Sequence, residues 1–348
     1  MRRRQLLANL AVTAATAAVA PLACVSSRPV NEAALGGAFV SRVRDAMLGL
    51  HTGTTVPPTA ALRTDLSRAF ADFHACRYSS LAVRLPRIIC AGHARAAIDD
   101  GSELGALLAQ SYLLATRMLI KLDEQQLGEL AASRARQTAE ASNDALLAAE
   151  ACRQQSVLAR RSGCHEQAMS IALTAADHPS LHAGGLDRAA ARGLLIQSAA
   201  YTAARVGDTA GMRELTDEAA AIATELGDTT PLLRDHGGFS FTTVQLHRIS
   251  AENSAGNPSA ALAAARSVAP DRLPSTERRA RYFTDIATAC WRWSRRDECI
   301  RALLAAEKHA REETQTRPAV RALVSELLVS GRTTTELRGL AARVGVLT

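Results

Sequence analysis

One stretch, LLIQSAAYTAARVGDTAGMRELTDEAAAIATELGD at residues 194–228, constrains the fold more than any other. Two runs rich in Ala and Leu, both strong helix formers, flank a Val-Gly-Asp break. Glycine takes the left-handed conformation that ends one helix. Ala200 and Ala203 would face the second helix across the turn at Gly207 and Asp208, and Met212 and Ala219 would face back. Two antiparallel helices of this length, small where they touch, make a tetratricopeptide-like unit. The rhythm recurs in YFTDIATACWRWSRRDECIRALLAAEKHA, residues 282–310. There Phe283, Ile286, Ala287 and Cys290 form one stripe, and Cys299, Leu303 and Ala306 form the other. Weaker copies turn at GNPSAALAAARSVA (256–269) and within LARRSGCHEQAMSIALTAA (158–176). No such pair buries its apolar face alone, so neighbours must stack into a superhelix.

Composition agrees. Hydrophobic residues make up 47% of the 348, yet aromatics are only 3%, so residues that favour strands are scarce. The expectation is an all-α chain, a tetratricopeptide-like α-solenoid of antiparallel helix pairs. Short breaks separate the helices, among them DDGSE (99–103), RSGCH (161–165), DHPSLHAGG (177–185), LGDTTP (226–231) and APDRLPS (269–275). Short connections imply antiparallel neighbours. The organisation reads as a signal-like or linker apolar segment at 1–35, a short helix and loop at 36–58, and the helical repeat domain at 59–348. A formal charge of +7 permits anionic partners without requiring nucleic acid. The seven cysteines are odd in number and include no Cys-x-x-Cys pair, which argues against a disulfide framework or a zinc site.

The first residues admit two readings. Arg2, Arg3 and Arg4 precede the uncharged run Leu6 to Ala23, and Cys24 follows small and apolar residues. That is the pattern of a twin-arginine export signal, or of a lipoprotein with Cys24 as the acylated residue. The same letters also make an Ala-rich helix with a basic cap, and Pro21 and Leu22 fit a lipidation site poorly.

From about Ala60 to its end the chain resembles the C-terminal tetratricopeptide-like domain of bacterial Xre-type helix-turn-helix transcriptional regulators. The resemblance is carried by ALRTDLSRAFADFHACRYSSLAVRLPRII (61–89), LLAQSYLLATRMLIKLDEQQLGELAASRARQTAEAS (107–142) and FSFTTVQLHRISAENSAGNPSAAL (239–262). LPSTERRARYFTDIATA (273–289) and RPAVRALVSELLVSGRTTTELRGLAARVGV (317–346) complete it. It implies a non-enzymatic regulatory interaction protein in the cytoplasm that binds a protein, a peptide or a small-molecule ligand, and a homodimer by analogy. The family's helix-turn-helix unit is not found in this sequence. A DNA reader needs a positioned recognition helix, so no sequence-specific DNA binding is expected of this chain alone. The alternative is an exported or membrane-anchored helical-repeat scaffold.

Catalytic and metal signatures are lacking. His165 and Glu166 have no second ligand at helical spacing, and Cys164 and His165 point apart as helix neighbours. Phosphate loops, dinucleotide fingerprints and nucleophile elbows do not occur. Neither a catalytic residue, a metal nor a cofactor is expected. The candidate ligand residues lie in RDHGGFSFTTVQLHRIS: His236, Phe239, Thr242, Thr243, Gln245 and His247. Thr243 and His247 are four apart and share a helix face, which in a concave superhelix can present polar groups to a ligand. The plain alternative for His247 is helix packing. RWSRRDECIR (292–301) and ERRAR (277–281) read as a solvated turn and a solvated helix face.

Overall fold

The computed structural model describes residues 32–50, 56–98, 101–233 and 237–347. Cys24 and the signal-like segment before residue 32 lie outside the described residues. Among the described residues there are 17 α-helices and no strand. In chain order they are α1 (Glu32–Met47), α2 (Thr59–His74), α3 (Tyr78–Ala96), α4 (Ser102–Leu122), α5 (Gln125–Ala141), α6 (Ala145–Arg161), α7 (His165–Ala176), α8 (Pro179–His182) and α9 (Leu186–Arg205). They continue as α10 (Thr209–Glu225), α11 (Phe241–Ser254), α12 (Pro258–Ala265), α13 (Thr276–Arg292), α14 (Arg296–His309), α15 (Arg311–Thr316), α16 (Pro318–Val329) and α17 (Thr335–Arg343). The break at 177–185 differs from its reading as plain loop: it holds the single turn α8, started by Pro179 at the first helical position.

The hairpin turns share one construction. A residue in the left-handed region follows each first helix: Cys76, Asp123, Gly163, Gly207, Gly256 or Ser294. The next backbone N–H then reaches back five residues, as from Arg77 to Asp72 (2.8 Å), Glu124 to Leu119 (2.9 Å), Asp208 to Ala203 (3.0 Å) and Arg295 to Cys290 (2.8 Å). This is the Schellman closure, which satisfies the orphan carbonyls of a helix end. Where glycine is absent the closure persists at the strained left-handed geometry, so these turns are equivalent by structure although unequal by sequence. After the Gly207 turn the following helix is also capped by a side chain, Asp208 accepting from Gly211 N–H at 2.8 Å.

Small residues set the spacing inside each hairpin. Ala200, Ala203, Met212 and Ala219 are all buried between α9 and α10, and Ala287, Cys290, Cys299, Leu303 and Ala306 between α13 and α14. The thiols of Cys290 and Cys299 are unbonded packing groups. Helix α1 packs Phe39, Val43, Ala46 and Met47 into the core of α2 to α5, so it is continuous with the repeats. Among the described residues no helix is long and apolar enough to cross a membrane.

The first helices of the hairpins, α2, α4, α6, α9, α11 and α13, pack side by side in that order, and α13 returns to α2. The expected superhelix is therefore a closed ring. Buried charge fastens the closure. Lys121 Nζ of α4 donates to Glu277 of α13 at 2.7 Å and to Glu313 of α15 at 2.8 Å. The Tyr78 phenol of α3 also donates to Glu313, and the Ser79 backbone N–H to Glu312 at 2.8 Å.

Candidate functional site

The six inner helices surround a chamber of about 370 Å³. Four of them present a polar stripe to it at helical spacing. Arg153, Gln154 and Arg160 come from α6, Gln197, Ser198 and Tyr201 from α9, His247, Ser250 and Asn253 from α11, and Arg278, Arg281 and Asp285 from α13. The opposite faces of the same helices are the apolar ones that meet the outer layer. The usual amphipathic arrangement is thus turned inward, with water-favouring groups at the centre of the ring.

A chain of hydrogen bonds ties three of these helices together. The Tyr201 phenol lies 3.0 Å from His247 Nδ1, Arg278 donates toward His247 Nε2 at 3.4 Å, and Arg281 donates to the Tyr201 oxygen and to Ser250 Oγ at 3.0 Å. Burial pushes the His247 imidazole well below its ordinary pKa, and Arg281 and Arg278 beside it push the same way. The ring is therefore neutral. Since Nε2 accepts from Arg278, the hydrogen-bond pattern assigns the proton to Nδ1, which donates to Tyr201.

On the opposite side Glu150 accepts from Arg117 at 3.2 Å and from Arg153 at 2.7 Å. Glu277 would be raised by its burial, but Lys121 and Arg278 outweigh that and hold its carboxyl well below the usual range. Asp285 is raised by burial while accepting from Ser250. The arrangement can bind and orient polar groups. Among the described residues no cluster of His, Cys, Asp and Glu fits a metal ion.

Of the described candidate ligand residues, only His247 lines this chamber. Phe239 is 1% exposed and lies over Gly193 of α9, where a Cβ would run into its ring; it is a packing residue. Thr243 forms the capping box of α11, its hydroxyl accepting from Ser240 N–H at 2.8 Å and donating to the Ser240 carbonyl at 2.9 Å. Thr242 is half-buried and Gln245 buried, and neither reaches the chamber wall. His236 lies outside the described residues. The reading of residues 277–281 as a solvated face is corrected: Glu277 and Arg278 are 8% and 6% exposed, and Arg281 faces the chamber. The signal was present as the spacing Arg278, Arg281, Asp285, Thr288, Arg292, a polar stripe at steps of three and four. Trp293 and Arg295, by contrast, stand at the exposed turn as read, with the guanidinium 3.8 Å from the indole centre. No protein-family model and no curated protein matches the chain.

Proposed function

We propose that the chain is a non-enzymatic regulatory interaction protein whose ring of helix pairs receives a small molecule or a short peptide end in its central chamber. The observation that carries this reading is Gln197. Its side chain lies in the chamber wall, the residue is 2% exposed, and neither amide atom has a protein partner among the described residues. A buried amide without hydrogen bonds costs about 1–3 kcal/mol. Folded proteins retain such a group where a ligand completes it. The stripe of polar residues around it, held by satisfied bonds on either side, is preorganised for binding. The resemblance to the sensor domain of Xre-type regulators agrees with a ligand-responsive role, with DNA reading left to a separate unit.

The test is native mass spectrometry of the intact chain after incubation with the low-molecular-weight fraction of an extract from its host. The wild type should carry a stoichiometric adduct. Thr288→Trp and Val157→Trp, which place an indole in the chamber from two different walls, should lose it while keeping the helical circular dichroism. An adduct unchanged in both variants, or no adduct from any fraction, would overturn the proposal.

A further inference from the structure

Donors exceed acceptors on the chamber walls. Among the described residues eight basic side chains line it against two carboxylates, Glu277 and Asp285. Those carboxylates, with Glu150 and Glu313 behind the wall, are already engaged. Glu150 holds Arg117 and Arg153, Glu313 holds Lys121 and Arg317, Glu277 holds Lys121, and Asp285 is bonded by Ser250 and lies 3.6 Å from Arg281.

Two of the guanidiniums, Arg160 and Arg278, are held only loosely or not at all by carboxylates. Arg160 meets neutral groups: it donates to the Ser198 carbonyl at 3.1 Å and lies 5.3 Å from the Tyr201 ring centre. Arg278 is 3.9 Å from Glu277, and its Nε has no hydrogen-bond partner. Burial is the largest influence on both and lowers each to about 10. Charge retained under that pressure is stabilised by an anion placed nearby.

Tyr201 points the same way. Its oxygen accepts from Arg281 and, in the tautomer assigned above, from His247 Nδ1–H. Its two lone pairs are then taken, and the hydroxyl proton is left to donate. Tyr201 thus faces the chamber as a third donor beside the two arginines. Arg160 and the Tyr201 hydroxyl are donors without a carboxylate partner of their own, and the chamber volume sits at the small end of ligand sites.

We propose that the chamber binds a compact small molecule bearing an oxyanion, a carboxylate or a phosphate monoester, with the anion held by Arg160, Arg278 and the Tyr201 hydroxyl and a neighbouring polar group of the ligand paired to Gln197. This rests on reading the chamber as a ligand site and adds the chemical class of the ligand. Guanidinium forks match both oxyanions in geometry.

Four probes with one ring and different head groups test it: phenyl phosphate, benzoate, benzamide and benzylamine. Each is titrated into the full chain while the Tyr201 and His247 ring resonances are followed by NMR. At least one of the two anions should shift them saturably and bind about tenfold or more tightly than benzamide and benzylamine, the margin of a charge-assisted over a neutral hydrogen bond. The tighter of the two anions distinguishes phosphate from carboxylate. Tyr201→Phe and Arg160→Met should each weaken that anion severalfold and leave benzamide unchanged. Binding of benzamide or benzylamine as tight as the tighter anion would overturn the anionic class while leaving the ligand site standing. Failure of both anions to bind saturably, or anion binding unaffected by both variants, would overturn the proposal as well. The extract experiment decides separately whether the chamber is a ligand site at all.

Discussion

Gly193 and Gly37 are both helical glycines, and packing gives them opposite signs. A Cβ at Gly193 would enter the Phe239 ring, while one at Gly37 meets nothing within 4 Å. Gly193→Ala should therefore destabilise by about 1–3 kcal/mol through overpacking. Gly37→Ala should leave stability unchanged or raise it by up to about 1 kcal/mol, from helix propensity. Urea denaturation of the two variants checks the pair. The same close approach explains why Phe239 could not be placed from sequence. Its neighbour is a glycine 46 positions earlier, and no local pattern announces that meeting.

His247 carries a pH dependence of defined sign. Its folded pKa lies well below the ordinary 6.5, so below that value the unfolded chain binds a proton that the folded chain refuses. Stability is full above about pH 6.5 and declines as pH falls, with a slope of up to about 1.4 kcal/mol per pH unit. His247→Asn should flatten the stability profile between about pH 6.5 and 5 by one proton's worth. An unchanged profile would mean that the imidazole is solvated. Among the thiols, burial raises Cys299 to about 12 and raises Cys290 as well, whereas Cys164 is exposed. A thiol reagent should label Cys164 in the native chain at neutral pH and reach Cys290 and Cys299 only on unfolding.

At the scale of elements, the helix pairs were legible because they rest on local physics. The left-handed turn residue, the cap that follows it and the alanine stripe all lie within one hairpin, as Gly207, Asp208, Ala203 and Ala219 show. The polar stripe of α13 was also written in the sequence, in the spacing from Arg278 to Arg292. It was misread because a charged helix face is ordinarily a solvated one, and only the packing of six helices around it makes it an interior. Which face of a polar-rich helix turns inward is decided by tertiary neighbours, not by periodicity.

Closure belongs to this scale too. Lys121 serves two carboxylates, and the side chains of all three residues are 11% exposed or less. Lys121→Met would remove the cation shared by two buried carboxylates, leaving Glu277 with Arg278 at 3.9 Å and Glu313 with Arg317 at 3.2 Å, and should cost about 3–5 kcal/mol. Lys121→Met combined with Glu313→Gln should recover part of that loss, since one of the under-compensated buried charges is gone. Glu277 adds an acid limb to the wild-type profile. Its carboxyl is held below the usual 4.5, so its contribution is complete above that value and is lost as pH falls further, a window distinct from that of His247.

Across the described ring as a whole, closure changes what stability means. An open array of helix pairs opens from its ends, because terminal repeats have one neighbour each. In the ring, α2 and α13 are neighbours, and α3, α4 and α15 share the buried cluster around Glu313. The chamber is enclosed across that seam, so the ligand binding proposed above would be linked to the integrity of the seam. A ligand in the chamber should slow opening of α2 and α13 together, although they are about two hundred residues apart in sequence.

Native-state hydrogen exchange of the full chain tests the closed ring most directly. The slowest amides of α2 and of α13 should open with the same free energy, close to that of global unfolding, and Lys121→Met should lower both together. Opening of α2 or α13 at a distinctly lower free energy than α9, in graded order from the ends inward, would contradict it.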